Sequence, residues 1–280
     1  MSAPLAIRVM AGNELALAGD WAAAEGWNPG LDDAACFAPV DPAGFYIGEL
    51  DGIPASTISV VNYDDRFAFL GFYIVRPDLR GRGYGLQTWR AAIAHAGART
   101  IGLDGVVSQQ DNYRKSGFVL AHRNIRFGGV PVRLSTLPSG LVDLKEFPFA
   151  AIEADDATVF PAPRAAFLRT WLGAPGHLGR GLVRDGRLAA WGVIRPCRTG
   201  HKIGPLIADD RAAAEAVFAA LCAAASGEVF LDVVEPNRDA VALATAHGLA
   251  PIFETARMYT GPIRPVAQAR IFGITTFELG

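Results

Sequence analysis

Arg80-Gly81-Arg82-Gly83-Tyr84-Gly85 is the stretch on which the reading of this chain turns, because of what stands on either side of it. An apolar run, Phe69 to Val75, precedes it, and an amphipathic run from Leu86 to Ala96 follows, with Leu86, Trp89 and Ile93 at helical spacing. Glycines at a strand-to-helix junction let main-chain N–H groups turn inward with no Cβ in the way, and the helix N-terminus adds the positive end of its dipole. Such a loop is a cradle for a pyrophosphate. Its spacing separates it from other nucleotide loops. No Gly-Lys-Ser/Thr follows, as a Walker loop requires, and the third glycine comes one residue too early for Gly-x-Gly-x-x-Gly.

Working outward, the chain contains an internal repeat. Asp51-Gly52 is a hairpin turn feeding a strand over Thr57 to Val61, and Asp185-Gly186 repeats it before Trp191 to Arg195. Gly71-Phe72-Tyr73-Ile74-Val75 is echoed by Gly204-Pro205-Leu206-Ile207-Ala208, and in both places a helix follows. Leu103 to Val107 is echoed by Leu231 to Val234, Gly117-Phe118 by Gly248-Leu249, and Arg126 to Gly129 by Met258 to Gly261. Each copy reads as strand, helical segment, hairpin strands, central strand, helix, strand, short helix, strand. The fold class is therefore α+β, a mixed central sheet flanked by helices, twice over. Ala11 to Glu25 supplies the first helix, with Ala16, Leu17, Trp21 and Ala24 near helical spacing, and Asn28-Pro29-Gly30 breaks it. Asp209 or Asp210 caps a helix over Arg211 to Ala225 in the second copy. Pro-Ser-Gly and Phe-Pro place a linker at 138–148, between domains over 1–137 and 149–280. The last apolar run, Ile271 to Leu279, is suited to docking as a strand.

Composition limits the function. With 51% hydrophobic and 19% charged residues the chain folds, and its 280 residues suffice for two cores. A net charge of -2 supplies no basic field for nucleic acid. Three scattered cysteines, Cys36, Cys197 and Cys222, fit a reducing compartment, and neither they nor the five histidines have metal-ligand spacing, so no metal is expected. Without a signal-type leader or an apolar stretch of about twenty residues, the expectation is a cytoplasmic protein with no membrane partner.

The loop resembles the signature of the GNAT acyltransferase superfamily, Gln/Arg-x-x-Gly-x-Gly/Ala, with Arg80, Gly83 and Gly85 in register. Val75-Arg76-Pro77 is similar to the Val-x-Pro by which many members enter this loop, and Tyr113-Arg114-Lys115-Ser116-Gly117-Phe118 resembles the family's Tyr-x-x-x-Gly-Phe. The tandem arrangement is similar to a bacterial group of double-GNAT proteins. The resemblance implies acetyl-CoA as cosubstrate and a small-molecule or peptide amine as acceptor, in a monomer or homodimer. It implies that the main chain of Tyr73, Ile74 and Val75 pairs with the pantetheine arm, and that amides of Arg80, Gly81, Arg82, Gly83, Tyr84, Gly85 and Leu86 hold the pyrophosphate. Asn112 is either a contact to the pantetheine or adenosine or a helix cap.

Acyl transfer to an amine needs a neutral amine, a stabilised oxyanion and a proton for the thiolate. Amides near Ile74 and Val75 suit the oxyanion. Tyr113 matches the family position that protonates sulfur, unless it is a packed aromatic beside Phe118. Many relatives carry a carboxylate on the central strand, and Phe69 to Val75 has none. Asp104 is the first candidate for the base, with Asp32 and Glu49 behind it, while Asp32 and Asp33 also suit helix caps after Gly30. Trp27 and Phe37 either wall the site or staple helices to the core. The second copy has Asp209-Asp210 where glycines would stand, and Ala244 at the tyrosine position, so it is expected to be degenerate and to help form the acceptor cleft. The rival reading is a non-catalytic module that senses acyl-CoA or binds a protein.

Overall fold

A computed structural model of the chain describes residues 4–133 and 137–280. The first copy runs β1 (Ala6–Val9), α1 (Leu15–Ala24), α2 (Asp33–Phe37), β2 (Phe45–Leu50), β3 (Ile53–Asn62), β4 (Phe67–Val75), α3 (Tyr84–Ala96), β5 (Thr100–Val106), α4 (Gln110–Lys115) and β6 (Val119–Gly129). The second runs β7 (Leu141–Asp143), α5 (Phe149–Asp156), α6 (Ala165–Gly173), β8 (Leu178–Arg184), β9 (Arg187–Pro196), β10 (His201–Ala208), α7 (Arg211–Ala223), β11 (Val229–Val234), α8 (Arg238–Ala246) and β12 (Ala250–Tyr259), with β13 (Ile271–Gly273) in the tail.

Local chemistry accounts for most boundaries. Both Asp-Gly turns hold positive φ at both central residues, 51° and 77° in one and 51° and 76° in the other, which is what a tight two-residue hairpin demands. Asp210 caps α7, its carboxylate accepting from the Ala213 N–H at 2.8 Å. α1 buries Leu15, Ala18 and Ala22 while Ala16 and Ala24 face out, one position off the expected stripe, because an alanine-rich helix defines no sharp face. α3 buries Tyr84, Thr88, Trp89, Ala92 and Ala96, and Leu86 stays exposed at its start. Part of the expected linker is ordered, since Leu141–Asp143 pairs with β8 on the outer edge.

The strands form one sheet in the order β1-β2-β3-β4-β5-β12-β6-β11-β10-β9-β8-β7. Only β4–β5 and β10–β11 are parallel along this path. At the centre the copies exchange strands, so that β12 of the second copy pairs with β5 of the first while β6 of the first pairs with β11 of the second. β6 and β12 pair with each other between them. Behind the sheet one core joins both copies, with Leu15, Phe37, Phe72 and Ile74 packed with Phe167, Trp171 and Trp191. Phe37 stacks on Trp171 with ring centroids 6.2 Å apart, so it belongs to the core.

The tail returns to the middle of this assembly. β10 and β11 pair only from His201↔Val229 to Ile203↔Leu231 and then part. β13 enters the gap, pairing with β10, and the Ile274 N–H donates to the Asp232 carbonyl of β11. Gly204 admits this close approach, since a Cβ there would stand 2.4 Å from the Thr275 carbonyl oxygen. The chain end is then fixed as the Tyr63 hydroxyl donates to the Leu279 carbonyl at 2.8 Å and Leu279 is fully buried.

Candidate functional site

In the first copy the corresponding gap between strands is open. β4 and β5 pair from Phe67↔Thr100 to Leu70↔Leu103 and then diverge. Just beyond, the pairing of β4 with β3 shifts register, and Phe72 takes a φ of 48°, a left-handed conformation costly for a bulky side chain. The Thr57 hydroxyl holds it by donating to the Phe72 carbonyl at 2.8 Å. The bulge turns the following main chain, so Gly71 to Val75 present an edge with no partner on β5 to a cavity of about 460 Å³. Tyr73, Ile74 and Val75 line it.

The cavity runs on to the glycine loop, where Arg80, Gly81, Gly83, Gly85 and Leu86 line it. Gly81 and Gly83 have φ of 77° and 83°, and a Cβ on either would meet nothing within 4 Å. Gly83 is the N-cap of α3 and no side chain among the described residues caps that helix, so its first amides are free for an anion. Gly85 serves packing, since a Cβ there would lie 2.6 Å from the Tyr73 hydroxyl. Arg80 braces the loop by donating from Nε to the Val75 carbonyl at 2.9 Å and pairing with Glu25. Arg82 and Tyr84 are not on the cavity wall. Arg82 is exposed, and Tyr84 is buried with Ala55 and Leu79.

Tyr113 of α4 lines the cavity against the ring of Trp89, with centroids 5.8 Å apart. Burial pushes its phenol well above the usual range, with Tyr73 adding to the effect, which keeps the proton on oxygen. Asn112, one residue earlier, turns away and donates to Gln109 at 2.8 Å, leaving Ser108 and Gln109 on the wall instead.

Asp104 also lines the cavity, but its oxygens are occupied. Oδ1 accepts from Asn124 at 2.7 Å and from Arg257 Nε at 2.7 Å, and Oδ2 accepts from Arg257 Nη2 at 2.6 Å. Burial raises this carboxyl's pKa, with Arg257 and Asn124 opposing and a rise as the outcome. With both oxygens accepting, Asp104, expected as the base, is held as the anchor of an ion pair with Arg257. Asp33 is no helix cap either. It pairs with Arg195, accepting from Nε at 2.7 Å, and both are buried. Asp32 accepts from the Gly176 N–H at 3.2 Å, and Glu49 pairs with Arg8 on β1, so neither is on the wall. Trp27 is on the wall, its carbonyl accepting from the buried Arg126 guanidinium at 2.6 Å.

The far wall comes from the second half of the chain, through Phe253 and Thr255 of β12 and Phe277 and Glu278 of the tail. The motifs did not point to Glu278. A signal was present, an acid between Phe277 and Leu279 in an otherwise apolar run, and such a charge in a docking segment needs a reason.

At the equivalent place in the second copy the tail fills the gap between β10 and β11, and the Asp210 carboxylate sits on the helix amides. Asp210 and Asp209 are further tied to Arg184 and Arg187. Among the described residues no group of His, Cys, Asp and Glu is placed to hold a metal ion, and no helix is long and apolar enough to cross a membrane.

Comparison with known proteins places these features. Residues 16–118 match the acetyltransferase (GNAT) family, and residues 152–273 match an acetyltransferase (GNAT) domain. The chain is 34% identical over 270 residues to holothin acyltransferase of Pseudoalteromonas sp. (strain SANK 73390), covering 95% of this chain and 92% of that one. In fold it is similar to a crystal structure from Pyrococcus horikoshii, with a TM-score of 0.84 and 21% identity over 99% of this chain and 96% of the other. It also resembles a tandem GNAT protein from the clavulanic acid biosynthesis pathway, with a TM-score of 0.65 and 17% identity over 92% of this chain and 99% of that one.

Proposed function

We propose, since the chain belongs to the GNAT family of acyltransferases and carries two GNAT domains, that its first domain moves an acetyl group from acetyl-CoA to a primary amine. The observation that carries this reading is the open gap between β4 and β5 running without a break into the uncapped start of α3. An unpaired strand edge suits a chain of amides such as pantetheine, and free helix amides suit a pyrophosphate. On this reading Tyr73, Ile74 and Val75 take the arm, and the amides of Arg80 to Leu86 take the phosphates. The domains span 1–137 and 149–280, joined through 138–148 and by the exchanged strands.

The second domain is the degenerate partner. Its gap holds the chain's own tail, and its helix start holds Asp210. One acetyl-CoA per chain is therefore expected in a calorimetric titration. Two equivalent sites would sink the assignment of unequal domains, and no binding would sink the acetyl-CoA reading as a whole.

Tyr113 is the general acid for the departing thiolate, a role open to a phenol that lines the cavity and is protonated at neutral pH. Tyr113→Phe is expected to bind acetyl-CoA as the wild type does and to slow turnover about 10²- to 10⁴-fold in a thiol-release assay. Full activity in this variant would assign protonation to solvent. The likeness to holothin acyltransferase makes holothin the first amine to try. A phenol on the wall between the two halves favours transfer over mere sensing.

A further inference from the structure

The loop and the phenol do not deprotonate the amine, an ammonium of pKa near about 10 that must lose a proton before it attacks. β4 carries no carboxylate, and that of Asp104 is committed to Arg257. A carboxylate arrives by another route. The tail crosses β4 at Gly71, where a Cβ would stand 2.1 Å from the main-chain oxygen of Glu278. The missing side chain at Gly71 lets residue 278 close on the strand. Glu278 lines the same cavity as Tyr73 and Tyr113 and is only 2% exposed, and its Oε1, itself closed off from solvent, has no hydrogen-bond partner among the described residues.

A buried carboxyl with an unused oxygen is costly, and a position needing only bulk would take an apolar residue like its neighbours Phe277 and Leu279. The backbone around it is fixed, with the Leu279 carbonyl accepting from Tyr63 and the Leu279 N–H donating to Thr276 Oγ1 at 3.0 Å. We propose that Glu278, delivered by the C-terminal segment to the place beside Gly71, is the general base that takes the proton of the acceptor amine. This rests on reading the cavity as an amine acyltransfer site. The acceptor ammonium gives one proton to a Glu278 carboxylate oxygen, which passes it to water. The freed lone pair forms the C–N bond at the thioester carbonyl carbon, and the C–S bond breaks. Nitrogen sheds its further proton to water while Tyr113 gives one to sulfur and regains one from water, leaving amide, thiol and one net proton released.

The surroundings shift this carboxyl in one direction. Burial raises its pKa, Lys202 on β10 opposes, Asp33 on α2 adds, and Arg126 on β6 and Arg195 on β9 oppose, with a rise as the outcome. A base of this kind is active above its pKa, so kcat/KM falls as pH drops through it.

The test uses full-length Glu278→Gln, with acetyl-CoA as donor and holothin as the amine. The expected result is a fall of about 10²- to 10⁴-fold in kcat/KM at neutral pH, unchanged acetyl-CoA affinity, and loss of the acid limb of the pH profile. Glu278→Asp recovers part of the rate with that limb restored. A Gln variant that transfers within about threefold of the wild type with the limb intact overturns the proposal. A wild type that acylates no amine defeats the functional reading instead. If the Gln variant does not fold, the wild-type protonated-carboxyl infrared band decides for Glu278. The assignment needs a slow-exchanging carboxyl, assigned by isotope labelling, that titrates above the ordinary glutamate range, and titration within or below that range overturns it.

Discussion

A chain ended at Pro138 is expected to fail as a folded protein, not merely as an enzyme. In such a fragment β6 loses both of its neighbours, because its partners β11 and β12 belong to the second half. β5 loses its outer partner along Gly102 to Val106. β6 cannot simply take the place of β12, since it runs parallel to β5 and β12 runs antiparallel. The fragment also uncovers Phe37, Phe72 and Ile74, which now pack with Phe167, Trp171 and Trp191. Each such side chain left in water forfeits about 1.5–3 kcal/mol, and a domain has only about 5–15 kcal/mol to lose. Soluble yield, circular dichroism and acetyl-CoA titration are the readouts. The same break made with both halves co-expressed is expected to restore a folded complex, since the exchanged strands hold without a peptide bond. A soluble isolated half that binds acetyl-CoA with full-length affinity would show that the exchange is not needed for folding.

The exchange was not legible in the sequence, and the reason is physical. The Asp-Gly turns, the helix after β4 and the glycine loop rest on interactions between near neighbours, so their residues announce them. The repeat gave the right inventory of strands for each copy. Which copy's strand lies beside β5 depends on pairing between residues such as Asp104 and Arg257, 153 apart in the chain. No local pattern encodes that choice. The same distance hid the fates of the acids. Asp33 and Asp104 look like a cap and a base until Arg195 and Arg257 arrive from the other half. The site divides in the same way. Tyr113 and the β4 edge were readable from motifs in one copy, whereas Glu278 reaches the cavity only because the tail folds back across Gly71.

Gly83→Val is expected to abolish acetyl-CoA binding at concentrations that saturate the wild type, with the fold retained. Gly83 holds a φ of 83°, which costs an L-residue roughly 1–2 kcal/mol and a β-branched one more. The loop relieves that strain by turning its amides out of the cradle. A hydrogen bond from a main-chain amide to a charged oxygen contributes about 1.5–3 kcal/mol, so losing two weakens affinity by roughly 10²- to 10⁴-fold. A Cβ at this position meets no atom of the described residues within 4 Å, so the valine does not collide with them and stability falls only by the backbone term. What it does fill is the space in front of α3 where an anion would sit. Gly85→Val is a useful contrast, since its Cβ would strike Tyr73 and Val75 and the damage would spread into β4. Calorimetric titration together with a thermal melt separates the cases. A Gly83→Val protein that binds acetyl-CoA within about tenfold of the wild type would place the phosphates elsewhere, and the cradle reading of Arg80 to Leu86 would fall with it.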